Sequence, residues 1–144
     1  MNNISKLLQP EGDDYPEAAQ KNLEDSRALM QSQRYDAAGY HAGYVMECIL
    51  KTCIQLTQPP RKIHILNDLS QKAIQLASLP HNQTARYVPS NWNAGNYDVI
   101  KNWRETIRYR SAGYITQQQA SRWVTEVNGF FKKTIITMRL DGVI

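Results

Sequence analysis

His41, His64 and His81 are the side chains of this 144-residue chain that ordinarily change charge near neutral pH. Cleavage of an RNA strand by its own 2′-hydroxyl needs such a group, together with a fixed cation to hold the phosphate. Arg34 and His41 stand seven residues apart, within about 20° of each other on one helix face, and form one candidate pair. With nine arginines and three histidines in the chain such a spacing also arises readily by chance. The plainer reading leaves Arg34 as a solvated helix-start residue and His41 as a hydrogen-bonded packing residue. His64 follows Arg61 and Lys62 at a helix start, where it either faces an anion or caps the helix. Arg34, His41 and His64 are therefore the catalytic candidates.

A second group of residues suits binding better than proton transfer. Between Arg86 and Tyr114 the cations Arg86, Lys101, Arg104, Arg108 and Arg110 alternate with Tyr87, Trp92, Tyr97, Trp103, Tyr109 and Tyr114, against only two acids. Aromatic planes for bases beside cations for phosphates are what single-stranded RNA or a nucleotide requires. Arg104, Arg108, Tyr109 and Arg110 are the expected contacts, and phosphate contacts would make binding strongly salt-dependent. The alternative is that Trp103 and Tyr109 anchor this stretch to the core, with the arginines solvated or paired with the acidic beginning of the chain. The net charge of +4 is unevenly spread: Glu11, Asp13, Asp14, Glu17, Glu24 and Asp25 crowd the start, and Lys132, Lys133 and Arg139 lie near the end.

These residues must be carried by helices. Asp14-Tyr15-Pro16-Glu17 combines an N-cap acid, an early proline and an acid three residues later, and Ala19, Leu23 and Met30 continue it as an apolar stripe. Tyr35, Ala38, Ala42, Val45, Ile49 and Leu56 alternate spacings of three and four, with Thr52 completing the series; this second helix ends before Pro59-Pro60. On its opposite face Tyr40, Tyr44, Glu47 and Lys51 share an arc of about 60°. That arc is either a solvated ion pair, worth a few tenths of a kcal/mol, or a second packing surface against another helix or a dimer partner.

A third helix is expected over Ile63–Ser78, and a long loop over about 79–97, rich in Asn, Ser and Pro. A short helix within Tyr97–Ile107 should lead to a turn at Gly113. Thr116 and Gln119 form a capping box that opens a terminal helix with Ala120, Trp123, Val127, Phe130 and Met138 inward. The expectation is one all-α domain over 1–144, an up-and-down bundle of four to five helices with its core between about 14 and 139.

Other chemistries find little support. There is no Gly-rich phosphate loop, no metal-ligand cluster and no nucleophile elbow, so neither a metal nor a cofactor is expected. Cys48 and Cys53 lie about 140° apart around one helix and cannot bridge each other; they read as reduced, semi-buried packing residues. No apolar run approaches the roughly 20 residues of a membrane span. Met1-Asn2-Asn3-Ile4-Ser5-Lys6 has no long apolar stretch before a cleavage site. The expected location is cytoplasmic.

The stretch from Arg34 to Lys51 resembles the signature second helix of HEPN domains. In that family a Tyr-x-x-Ala opening, small residues for close packing and a Glu followed four residues later by Lys occur in this order. His64-Ile65-Leu66-Asn67-Asp68-Leu69 is similar to the family's His-containing start of the next helix, and Trp103 to Tyr109 resembles its Trp followed by Arg-Tyr. Together these segments reach from Arg34 to about Arg139. The resemblance implies a helical bundle, often a homodimer, associated with RNA or nucleotides. Its members include metal-independent ribonucleases, toxins neutralised by a small nucleotidyltransferase partner, and non-catalytic accessory domains.

The family's ribonucleases carry an Arg, four to six variable residues and a His around the start of the final helix. Here no histidine follows His81. The leading expectation is therefore an RNA- or nucleotide-binding module in a toxin-antitoxin, defence or regulatory system. One alternative is a ribonuclease using Arg34 and His41, or His64 with the late arginines. The other is a dimerisation module whose interface contains Tyr40, Tyr44, Glu47 and Lys51.

Overall fold

The computed structural model describes residues 3–60 and 62–144; Arg61, expected beside His64, lies outside them, as do Met1 and Asn2. Every regular element among the described residues is helical: α1 (Tyr15–Gln31), α2 (Tyr35–Gln55), α3 (Leu66–Ala77), α4 (Asp98–Asn102), α5 (Gln117–Phe131) and α6 (Thr137–Leu140). Two 3-10 turns, Gln83–Arg86 and Glu105–Tyr109, and a π-helical turn, Lys132–Ile136, complete the set. The expected all-α bundle is what the chain forms. No helix among the described residues is long and apolar enough to cross a membrane.

Local chemistry sets the ends of the long helices. Asp14 caps α1, its carboxylate accepting the Glu17 N–H with Pro16 in the first turn. The helix closes with two backbone bonds, Arg34 N–H to Leu29 O at 2.8 Å and Gln33 N–H to Met30 O at 3.1 Å. Gln33 between them adopts φ 59°. This is the left-handed helix stop that glycine usually fills. Thr116 caps α5, its hydroxyl accepting the Gln119 N–H at 3.1 Å.

α2 is the central helix. Every residue from Val45 to Ile54 is buried, a pattern that belongs to a helix covered on all sides. α1 and α5 pack along it, and the Ser26 hydroxyl of α1 donates to Ala38 O of α2 at 2.7 Å. Gly43 lets the Trp103 indole rest directly on the α2 backbone, with Nε1–H donating to Tyr40 O at 3.1 Å. Both cysteines are fully buried rather than semi-buried, and burial pushes the Cys48 thiol up to about 12.

Three segments depart from expectation. The third helix starts at Leu66 rather than Ile63, after residues 62–65 run without helical structure. The segment 79–97 is irregular as expected yet strongly packed: Tyr87, Val88 and Trp92 are buried, and Trp92 and Tyr97 meet Phe130 edge-on at 4.7 and 4.5 Å. A bidentate pair from Arg86 and a hydrogen bond from the Tyr87 hydroxyl fasten it to Asp141 after α6. The single short helix expected over 97–107 is two pieces, because Trp103 and Arg104 are extended. That break lets Trp103 point inward at α2. Glu126 of α5 accepts the free N–H groups of Asp98 and Val99, each at 3.0 Å, and so caps α4 from outside.

Candidate nucleic-acid interface

The break at Trp103 sets the course of the chain beyond it. Trp103 and Ile107 are buried, so they pin the Glu105–Tyr109 turn onto α2, while Arg104, Arg108, Tyr109 and Arg110 remain exposed. Asp36, in the first turn of α2, holds the next stretch in place: its two carboxylate oxygens accept the N–H groups of Gly113 at 2.7 Å and Ile115 at 2.8 Å. Between these anchors lies a cleft of about 230 Å³, lined by Asp36, Tyr40, Ile107, Arg108, Arg110 and Ser111.

Each arginine of the cleft is paired with an aromatic plane. The Arg108 guanidinium lies 4.9 Å from the Tyr109 ring centroid and that of Arg110 lies 5.5 Å from Tyr114. Both tyrosines are among the most exposed large side chains, Tyr109 at 73% and Tyr114 at 54%. Such open ring faces are able to stack on a base. Arg108 also donates to the Tyr40 hydroxyl at 3.4 Å, and the Tyr40 and Tyr44 hydroxyls are hydrogen-bonded at 3.0 Å. Burial, reinforced by the Tyr40 hydroxyl, raises the Tyr44 phenol, so Tyr44 offers a hydrogen bond rather than a base.

Arg104 stands apart from the cleft. Its guanidinium folds back onto the carbonyls of Trp103 at 2.7 Å and Lys101 at 3.2 Å. Of the expected binding residues, Arg108 and Arg110 therefore line one site, Tyr109 flanks it, and Arg104 is not part of its lining. The alternative, in which both Trp103 and Tyr109 anchor this region to the core, holds for Trp103 alone: Trp103 is wholly buried and Tyr109 is exposed.

The family pattern described as HEPN domain matches residues 13–135. The chain belongs to the HEPN domain family.

The matched stretch is most of the chain and includes both sides of the cleft. Its members are generically associated with RNA or nucleotides. Comparison with curated proteins and with solved structures gives no match.

The catalytic candidates of this HEPN chain are dispersed. Arg34 is exposed at the start of α2, while His41 donates through Nδ1 to the Asn22 amide oxygen of α1 at 2.9 Å. No hydrogen bond or ion pair joins the two. His64 precedes α3 without capping it; the cap position is Ile65, which makes no side-chain bond. His64 Nδ1 instead donates to Glu47 Oε1 at 2.8 Å, and Nε2 lies 3.7 Å from Glu105 Oε2. It thus faces carboxylates rather than the late arginines.

The Tyr40–Lys51 face of the HEPN α2 helix is covered from within the chain. Trp103 meets Tyr44 edge-on at 5.1 Å, His64 sits on Glu47, and the Tyr15 ring lies 5.2 Å from the Lys51 ammonium. Glu47 and Lys51 are 5% and 3% exposed, so their 3.5 Å ion pair is interior rather than solvated. Among the described residues no three His, Cys, Asp or Glu side chains are grouped as a metal site requires. The residues that sequence reasoning missed are Asp36, Ser111 and Glu105. Asp36 acts on backbone groups 77 and 79 positions away, for which no local pattern exists.

Proposed function

We propose that this HEPN domain binds single-stranded RNA, or a nucleotide with the same chemistry, at the cleft between Arg108 and Arg110. One observation carries the reading: two arginines on one cleft, each beside an exposed tyrosine. Guanidinium groups pair with phosphate oxygens through parallel N–H donors, and the open tyrosine faces offer stacking to any base. Arg104 and Lys101 add positive charge to the segment that leads into the Glu105–Tyr109 turn. Ser111 and the Tyr40 hydroxyl supply the polar contacts that orient a ribose or phosphate. The setting that agrees with this role is a toxin-antitoxin, defence or regulatory system, with a small nucleotidyltransferase as protein partner and a second copy of the chain as dimer partner.

Binding is favoured over cleavage because the histidines and the arginines do not meet. His41 is turned to α1, and His64 is engaged by Glu47. The test is titration of a labelled RNA pool in EDTA at several salt concentrations, with Arg108→Ala/Arg110→Ala and His41→Ala/His64→Ala as companions. Affinity should fall with a log–log slope of roughly −0.7 per phosphate contact, and the arginine variant should lose both affinity and slope. RNA cleaved by the wild type and left intact by the histidine variant would replace binding by metal-independent nuclease action. Absence of both cleavage and binding would leave the protein-interaction role.

A further inference from the structure

His64 is held between two carboxylates that belong to different parts of the molecule. Glu47 is fixed: it lies buried in the middle of α2, with Lys51 on its other oxygen. Glu105 is half-exposed and opens the turn that carries Arg108 and Tyr109. A carboxylate only accepts hydrogen bonds, so Nδ1 carries a proton in either charge state of the ring. The second proton decides the other contact. When Nε2 is protonated, an N–H points to Glu105 and the ring joins both acids. When it is not, a nitrogen lone pair faces a carboxylate, and the two repel.

We propose that His64 is a proton-operated latch that sets how firmly the Glu105–Tyr109 turn is held against α2, and hence the affinity of the arginine cleft for RNA. The proposal rests on the reading of that cleft as an RNA site. Among the described residues, the titratable groups around the ring are Glu47, Cys48 and Lys51 from α2, Asp13, Asp14 and Tyr15 at the start of α1, Lys62 on its own loop, and Glu105 on the turn. Asp14 is occupied by the Ser5 N–H and hydroxyl, and Lys51 is matched by Glu47. Asp13 and Lys62 are exposed residues of opposite charge. Glu105 is thus the group whose contact with the ring changes sign with the second proton. Ile107 and Trp103 keep the turn attached in both states, so the latch adjusts the site rather than dismantling it.

The experiment measures affinity for a labelled oligouridylate at constant ionic strength from about pH 7.5 to about pH 5.5, the interval in which imidazoles titrate. Wild type, His64→Gln, Glu105→Gln, His41→Gln and Arg108→Ala are compared, and amide exchange is followed at residues 105–109. Wild type and His41→Gln should bind about fivefold tighter at the lower pH, a modest coupling between sites. His64→Gln and Glu105→Gln should lose most of that change, and Arg108→Ala should bind weakly throughout. An undiminished pH dependence in His64→Gln overturns the latch. If wild type binds no RNA at either pH, the reading of the cleft fails and exchange decides the latch alone. Turn amides protected more at low pH in wild type but not in His64→Gln sustain it; equal protection sinks it.

Discussion

The indole of Trp103 occupies the space that a side chain at Gly43 would need. This contact seats the segment after α4 on the central helix, and so helps to place Ile107, Arg108 and Arg110 at the arginine cleft. Gly43→Ala should cost about 1–3 kcal/mol through overpacking and loosen the Arg108 turn. Gly129 in α5 has nothing near the position of an added Cβ, so Gly129→Ala should stabilise by about 0.5–1 kcal/mol through helix propensity. Denaturant melts of the two variants should move in opposite directions.

The buried pair of Glu47 and Lys51 leads to a non-additive result. Glu47→Leu alone strands an ammonium inside the protein and should destabilise by about 3–5 kcal/mol. Adding Lys51→Met removes the stranded charge, and the double variant should recover most of the loss. A double-mutant cycle by urea unfolding measures the coupling. Equal losses in the single and double variants would place the cost on the His64–Glu47 contact, which both variants lose, rather than on the stranded ammonium.

Stacking at the cleft separates ring from hydroxyl. Tyr109→Ala and Tyr114→Ala should each weaken RNA binding by about 1–3 kcal/mol, while Tyr109→Phe and Tyr114→Phe should leave it nearly unchanged. Neither ring is buried, so melting temperatures should stay close to wild type. Loss of binding in the Phe variants would transfer the contact from the ring face to the hydroxyl.

Glu126 gives stability a pH dependence. Burial raises its carboxyl above the ordinary value of 4.5, and the N–H groups of Val99 and Asp98 pull it back only in part. The folded protein therefore keeps this proton to higher pH than the unfolded chain does. Its contribution is fully present below the ordinary carboxylate range and is lost as pH rises through the raised value. Glu126→Gln does not ionise, so the stability of wild type relative to this variant should decline as pH increases above 4.5. Parallel melts across that interval test the sign.

Much of the scaffold was legible without coordinates. The Asp14 cap, the period of α2 and the Thr116 capping box are each written in adjacent residues, because helix formation depends on neighbours three and four positions apart. The order of motifs from Arg34 to Tyr109 likewise carried the family. The apolar face of the terminal helical stretch was also predictable: Ala120, Trp123, Val127 and Phe130 of α5 and Met138 of α6 are all buried. The break at Trp103 was less visible. Helical spacing of Ile100, Trp103 and Ile107 suits one helix, yet the buried indole requires extended backbone at that point.

The sequence by itself determined that the chain is helical, where its long helices begin, and which family it belongs to. Tertiary structure alone decided which charges meet. Arg108 reaches Tyr40 across 68 residues, Asp36 holds the Gly113 loop, and His64 lies between Glu47 and Glu105. It also decided that Trp103 is core while Tyr109 is open, and that the Glu47–Lys51 pair is interior. The physical reason is the same in each case. Helical period and caps arise from contiguous residues, whereas burial and electrostatic partners depend on what other segments bring across the surface.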